Sequence, residues 1–510
     1  MNRESFIHLL LTCVLISVIG AFHATAHAAA ASASRMQGTP TVTAPATMSA
    51  PATMSAPSAA GTASAAQAAM AGVPTTPIAP GSMLTLKQAI HIALHYFPRL
   101  RQRRSESSAA NEEVGVARSF LGPQVYGISQ YLRSTENGIA NTSYYDPMGI
   151  FPRMTGRNHS LPSNDFSQSW DTSNNYMNGL AISQFLFDFG RRRGFVAQRR
   201  FDAQAAGKRA RLSELRLIFE VSQRYFALLR AKQLVRVYEK AIEQREFHLR
   251  EAQVKAKVGL RPELDVYVTT AELERAKLHL IDARNEQDDA KVALDNAMGL
   301  SEESPQYHAA NVLTYSPFNG NVRNLLKTAF TLRPDLQMLE DEARAMGAQI
   351  VEYRSDYFPT VNAVGGYAGM GTGLPVANNF NVGILITWPI FNSFETTHQV
   401  SEAQFREHAL QHAIEDLRQQ IILQVRTAYL NVQAALQRIQ RAEKALAASR
   451  AELELSEKRY EAGLTNIVEL EDAQRHFTYD DANYAQALYS YSVAKAALGE
   501  ATAQSLKLAM

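Results

Sequence analysis

One cysteine occurs in 510 residues, Cys13, and it sits inside an apolar stretch near the N-terminus. No disulfide can therefore hold the chain, and the rest of the sequence lacks a thiol nucleophile. An excess of one charge is also missing. Lys plus Arg number 51 and Asp plus Glu 49, a net of +2, which excludes the basic footprint of a nucleic-acid binder. No charge at all lies between residues 36 and 86, no proline follows Pro389, and no glycine falls between residues 392 and 462. Nothing in that last segment interrupts a helix of about 70 residues, roughly 105 Å long at 1.5 Å per residue. Long apolar runs are scarce as well: Ile7 to Ile19 is too short to span a bilayer comfortably as a helix.

The N-terminal residues that are present read as an export signal. Arg3 supplies the positive end, Ile7 to Ile19 the apolar stretch, and Ala26-His27-Ala28 a small-x-small cleavage site, giving a signal peptide over 1–28. A lipid-anchoring cysteine would follow the stretch, whereas Cys13 lies within it, so a lipoprotein is disfavoured. Residues 29–82 are rich in Ala, Pro, Thr and Ser, and the hexad that begins at Pro45 repeats at once from Pro51. Such a segment buries too little apolar surface to offset chain entropy and is expected to be a disordered tether, with folded structure beginning near Leu84.

From there the chain says the same thing twice. Tyr96-Phe97-Pro98-Arg99-Leu100 is matched by Leu332-Arg333-Pro334-Asp335-Leu336, and Phe120-Leu121-Gly122-Pro123 by Asp356-Tyr357-Phe358-Pro359, both at an offset of about 236. Phe187 then matches Phe391, Tyr225 matches Tyr429, and Val258-Gly259-Leu260 matches Ala462-Gly463-Leu464, at an offset near 204. The copies differ mainly by one long insertion in the first. The boundaries read as a first repeat over 83–300, a connector over 301–320, a second repeat over 321–499 and a tail over 500–510.

Each copy holds two kinds of segment. Ile421, Val425, Ala428, Val432, Ala435, Ile439, Ala442 and Leu446 recur at spacings of four and three, the coiled-coil period, with Ala allowing neighbouring helices to approach closely. Leu217, Val221, Tyr225, Leu228, Val235, Tyr238 and Ile242 echo them. An ordinary long bundle helix would show the same stripe. Ahead of each long helix the period drops to two: Val382, Ile384, Ile386 and Trp388 fall on one face and Asn381, Gly383 and Thr387 on the other. Strands are expected at about 123–133, 176–187, 359–369 and 380–391, with a long loop over 134–175. Alternating runs of this length with terminal aromatics fit membrane-spanning strands. Four strands cannot close a barrel, for which about eight is the practical minimum, so a spanning chain must oligomerise.

Two copies of helix, strand pair, long helix, Gly-Leu turn and returning helix, behind an export signal, resemble the TolC-type outer-membrane channels of Gram-negative bacteria. The resemblance covers about Leu84 to Gly499 and implies a mainly α fold with a membrane β-barrel part. Long coiled-coil-like helices would form an α-barrel in the periplasm, and four strands per chain would complete a twelve-stranded β-barrel in a homotrimer. It implies a passive exit duct of a tripartite efflux pump or a type I secretion system. The partners it implies are a periplasmic adaptor, an inner-membrane ABC or proton-driven transporter and outer-membrane lipid. It also assigns residues. Glu469 and Asp472, three apart on the returning helix, would line the periplasmic gate as stacked anionic rings that favour cations. Tyr460 and Asp265 match latch positions, but the basic latch residue two after the second turn's glycine is Thr465 here. Val258, Gly259, Leu260, Gly463 and Leu464 match the docking points for the adaptor's hairpin tip. A solvated acidic face and simple helix C-caps remain the plainer readings of these residues. A periplasmic coiled-coil adaptor or scaffold without a barrel is the competing function.

Other signals carry less. His408 and His412 stand four apart without a third ligand. Gly366, Gly369, Gly371 and Gly373 have no helix or Lys-Ser/Thr after them and fit a hairpin loop better than a phosphate loop. No catalytic constellation stands out, so neither an enzyme nor a cofactor is expected.

Overall fold

The computed structural model describes residues 81–135, 172–300, 307–310, 313–371 and 376–505, all within one unit of the chain, Thr75–Met510. The expected signal peptide, nearly all of the tether and most of the 134–175 loop lie outside the described residues. In chain order the elements are β1 (Met83–Leu84), α1 (Leu86–Tyr96), α2 (Pro98–Ser119), β2 (Gln124–Thr135), β3 (Thr172–Phe187), α3 (Arg191–Lys257) and α4 (Glu263–Met298). The second half repeats them as β4 (His308–Ala309), α5 (Val322–Leu332), α6 (Pro334–Ser355), β5 (Thr360–Gly371), β6 (Ala377–Thr387), α7 (Glu395–Glu461) and α8 (Ile467–Ala501).

The repeated words in the sequence are repeated backbone events. Pro98 and Pro334 each occupy the first turn of a helix, where the missing N–H costs nothing, and the residues before them, Phe97 and Arg333, are extended at ψ 117° and 119°. After each strand pair the chain enters the long helix through two consecutive positive-φ residues, Phe189 and Gly190 in one copy and Ser393 and Phe394 in the other. Both long helices contain 67 residues. Each ends at a glycine with φ of +74°, Gly259 or Gly463, a conformation that side chains resist. The capping pattern is the same at both: Leu260 N–H donates to the Lys255 carbonyl at 2.9 Å and Leu464 N–H to the Arg459 carbonyl at 2.8 Å.

The heptad stripe is the buried face. Ile421, Val425, Val432, Ala435 and Ile439 of α7 share one core with Leu217, Val221, Tyr225 and Leu228 of α3, together with α1, α5 and the buried part of α8. Tyr225 donates its hydroxyl to the Leu84 carbonyl at 2.8 Å, and Tyr491 donates to the Ser316 carbonyl at 2.7 Å, so both of these buried phenols end on backbone acceptors. Within the connector, β4 pairs in parallel with β1. Gly194 of α3 lies so close to α6 that an added Cβ would stand 2.8 Å from the Glu352 nitrogen, which lets the two copies pack backbone to backbone.

The four long strands form one antiparallel sheet in the order β2-β3-β5-β6, so each copy gives a hairpin and the two hairpins meet at β3 and β5. The strand limits differ from those expected by a few residues. β3 begins earlier, at Thr172, because its pairing with β2 continues to Thr135. β6 stops at Thr387 rather than 391 because Pro389 lacks an amide donor and Trp388 turns its indole N–H to the Tyr357 carbonyl at 3.1 Å. α8 likewise runs on to Ala501, into the expected tail.

Register sorts the sheet into two faces. Rows such as Val125, Ile182, Gly365 and Val382, or Gly127, Leu180, Tyr367 and Phe380, run straight across all four strands on one face. That face carries large exposed apolar groups, with Val382 at 86%, Phe380 at 82% and Ile384 at 68%. The opposite face buries Met177, Ala181, Ala368 and Met370 among polar neighbours such as Ser183 and Asn381. Among the described residues neither β2 nor β6 has a partner strand on its outer side.

Candidate functional site

The two Gly-Leu turns, at the ends of α3 and α7, carry the expected site residues. Val258, Leu260 and Leu464 are exposed, and a Cβ added at Gly259 or Gly463 would meet nothing within 4 Å. Three bare apolar side chains and two uncovered stretches of backbone therefore sit at the turns. The C-cap explains the glycines; it does not explain the exposed leucines.

Tyr460, on the last turn of α7, is 1% exposed and packs with Leu453, Ile467, Leu470 and Ala473, with Val268 and Phe477 at the edge. Its hydroxyl donates to Asp265 Oδ2 at 3.5 Å, the long limit of a hydrogen bond. Asp265 is itself buried in the first turn of α4. Burial, and then the Asp265 charge, push the Tyr460 phenol up to about 12, so it stays a neutral donor at physiological pH. The expected Tyr460 and Asp265 are thus brought together.

A third member of this contact was not anticipated. Arg261 Nη2 donates to the Tyr460 carbonyl at 3.2 Å and to the Thr465 carbonyl at 3.0 Å, while its guanidinium lies 4.7 Å from the Tyr460 ring centroid. Lys255 Nζ lies 4.9 Å from the same ring. Arg261 follows Gly259 by two positions, as Thr465 follows Gly463. The offset of 204 between the copies maps one onto the other, and that was the signal by which Arg261 could have been found. The first turn supplies the cation that the second lacks, and Arg261 ties the two turns of one chain together.

Glu469 and Asp472 share one face of α8 and are about half exposed, with side chains at 43% and 46%. Each has a cationic neighbour in the same chain. Glu469 pairs with Arg459 at 2.8 Å and accepts from the Thr465 hydroxyl; Asp472 pairs with Arg475. Asn466 caps α8 by accepting from the Glu469 N–H at 2.9 Å. The expected pair is therefore side by side, and Thr465 stands next to it as a hydroxyl donor.

Behind that face lies a buried polar layer that sequence reasoning missed. Glu471 of α8, Arg245 of α3 and Glu272 of α4 are 2%, 5% and 8% exposed. Arg245 Nε is 3.5 Å from Glu471 Oε2, and Arg245 Nη2 is 3.9 Å from Glu272 Oε2. One turn along α3, His248 faces Glu457 of α7 at 3.8 Å. Burial lowers the His248 imidazole and raises both the Glu471 and Glu457 carboxyls.

His408 and His412 are exposed, and among the described residues no cluster of His, Cys, Asp and Glu could hold a metal ion.

Comparison with known proteins supplies an independent reading. A family model described as "Outer membrane efflux protein" matches residues 89–300 and 325–504. The outer membrane protein TolC of Salmonella enteritidis is 25% identical over 432 residues, covering 80% of each chain. The alkaline protease secretion protein AprF of Pseudomonas aeruginosa is 23% identical over 433 residues, 81% of this chain and 83% of AprF. Among solved structures, the outer membrane channel CmeC of Campylobacter jejuni superposes with a TM-score of 0.69 at 17% identity, over 82% of this chain and 86% of CmeC.

Proposed function

The chain belongs to the outer membrane efflux protein family, and from that premise we propose how this outer-membrane export channel is built and gated. Three copies associate, each contributing its four strands to a shared twelve-stranded barrel, with the helices continuing the conduit through the periplasm. The observation that carries this reading is the sheet, which is apolar and exposed on one face and open at both edges. In hydrocarbon each unpaired backbone N–H or C=O costs several kcal/mol, so a spanning sheet must close. Pairing β2 of one copy with β6 of the next removes every edge. Trp388, Phe391 and Phe394, all well exposed just after β6, fit the aromatic girdle at a membrane interface. A periplasmic adaptor or scaffold would have no use for such a face.

At the other end the gate comprises Glu469, Asp472, Tyr460 and Asp265. Threefold repetition of Glu469 and Asp472 sets six carboxylates around one axis, a ring that favours cations. Arg261 and Tyr460 hold the two turns together in the closed state. Val258, Gly259, Leu260, Gly463 and Leu464 receive the hairpin tip of a periplasmic adaptor, which links the duct to an inner-membrane ABC or proton-driven transporter. Energy comes from that transporter; the duct performs no chemistry.

Channels reconstituted in planar bilayers from detergent-purified protein are expected to conduct with a preference for cations. Glu469→Ala combined with Asp472→Ala is expected to abolish most of that preference while leaving conductance. Absence of any conductance from the unaltered protein would contradict the duct, and unchanged ion selectivity would remove the two acids from the gate.

A further inference from the structure

Glu471 sits between Glu469 and Asp472 in the sequence and points the other way. An ion pair buried to this degree is not the cheapest way to pack two helices, since apolar side chains of similar volume would serve as well or better. What it supplies instead is direction. The apolar residues buried beside it on α8, Ile467, Leu470 and Ala473, pack with Leu453 and Tyr460 of α7, and among the described residues none of α3 belongs to that cluster. The polar layer supplies that link. Glu471 reaches Arg245, and one turn on Gln474 donates through Nε2 to Gln244 Oε1 at 2.9 Å, so two successive contacts pin α8 to α3. Because side chains on a helix are spaced by 100° per residue, whatever fixes the azimuth of Glu471 fixes those of Glu469 and Asp472.

We propose that Arg245 is the positioning residue of the gate: by pairing with the buried Glu471 it sets the rotation of α8, and through that the direction in which Glu469 and Asp472 face. The inference rests on the gate reading above and adds to it a residue that touches neither ion nor adaptor. The charged groups that face Glu471 are Arg245 on α3, Glu272 on α4 and Arg475 on its own helix. Glu272 is a second carboxylate for the same guanidinium and also pairs with Arg275. Glu471 Oε1 accepts no hydrogen bond, so Arg245 is its main anchor. Burial holds the Glu471 carboxyl above the usual carboxylate range, with Arg245 offsetting this only in part. Acid therefore discharges Glu471 earlier than an exposed glutamate, leaving Arg245 to Glu272 alone and α8 without its pin.

The test is the reversal potential of the reconstituted trimer under a KCl gradient, from about pH 8 to about pH 5, for the unaltered protein and for Glu471→Gln. Glu471→Gln keeps the shape of the discharged side chain. It is expected to show at the alkaline end the reduced cation preference that the unaltered protein reaches only in acid, and to lose that step of the pH profile. Arg245→Lys keeps the charge and is expected to retain the step. Cation preference and pH profile both unchanged in Glu471→Gln would overturn the proposal. If Glu471→Gln does not assemble, the exchange of Arg245→Glu with Glu471→Arg decides: the preference of the unaltered channel supports the proposal, and lost preference or lost assembly overturns it. The two levels separate cleanly. Silence of Glu471→Gln alongside an effect of Glu469→Ala with Asp472→Ala sinks only the positioning role, whereas silence of both sinks the gate.

Discussion

Replacing Ile384 with Arg is expected to remove the protein from the outer membrane and from the proposed trimer. Ile384 lies mid-strand on the exposed face of β6, level with Ala363 of β5, with Val382 and Ile386 on either side of it on the same face. In the proposed barrel that face meets lipid, where an arginine near the bilayer midplane costs about 2–4 kcal/mol, a cost the proposed trimer incurs in each of its copies. Gly383→Ser is the control. It alters the next residue, on the opposite face, where an added Cβ has only the Val364 side chain, at 4.0 Å, within reach. Quantifying detergent-extracted trimer from the membrane fraction checks both. Near-normal trimer from Ile384→Arg would mean that the apolar face does not contact lipid.

The second large effect is expected at Arg245. Truncating it to Met leaves Glu471 and Glu272 buried without their shared cation, and breaking a buried pair from one side typically costs about 3–5 kcal/mol. The loss should be local, because the cluster joins the N-terminal part of α8 to α3 and α4 and is separate from the main core. Hydrogen exchange of the amides from Ile467 to Gln474 in the purified protein is the appropriate reading, since irreversible melting of a membrane protein would hide a local opening. The sign with pH follows from burial. A carboxyl whose folded value is raised costs stability while it is ionised, so the cost is present above that folded value and disappears as acid protonates it. The penalty of Arg245→Met should accordingly shrink toward low pH. Adding Glu471→Leu should recover much of it at neutral pH, as replacing a whole buried pair by apolar groups often does. Exchange rates in Arg245→Met that match the unaltered protein would contradict this description of the cluster.

How far the sequence disclosed these features depends on whether the controlling interactions are local. α7 was legible because a stretch without Pro or Gly and a 3.5-residue stripe act along the chain, and α3 because it echoes that stripe; the stripe from Ile421 to Ile439 is the buried face. The turns were legible because a left-handed residue is required there, and Gly259 and Gly463 adopt the same φ. Strand existence followed from period two, but the ends did not: whether β3 starts at Thr172 or Tyr176 is decided by β2 across the hairpin. The interactions behind the candidate gate were the least legible. Glu469, Glu471 and Asp472 are three acids within four positions, and nothing local says which faces inward to Arg245, 226 residues away. Arg261 was hidden for a different reason. The expected latch cation was sought in the second turn, although the duplication offered the equivalent position in the first.

The proposed barrel requires that β2, β3, β5 and β6 present alternate side chains to lipid and to a polar interior. Cys13 is the chain's single thiol, so in a Cys13→Ser background cysteines introduced one at a time from Asn381 to Ile386 can be read without interference. Labelling in intact outer membranes with lipid-soluble and water-soluble thiol reagents should alternate. Cysteines at Val382, Ile384 and Ile386 should react from lipid, and those at Asn381, Gly383 and Leu385 from water. Uniform reaction with the water-soluble reagent along the whole run would contradict the barrel.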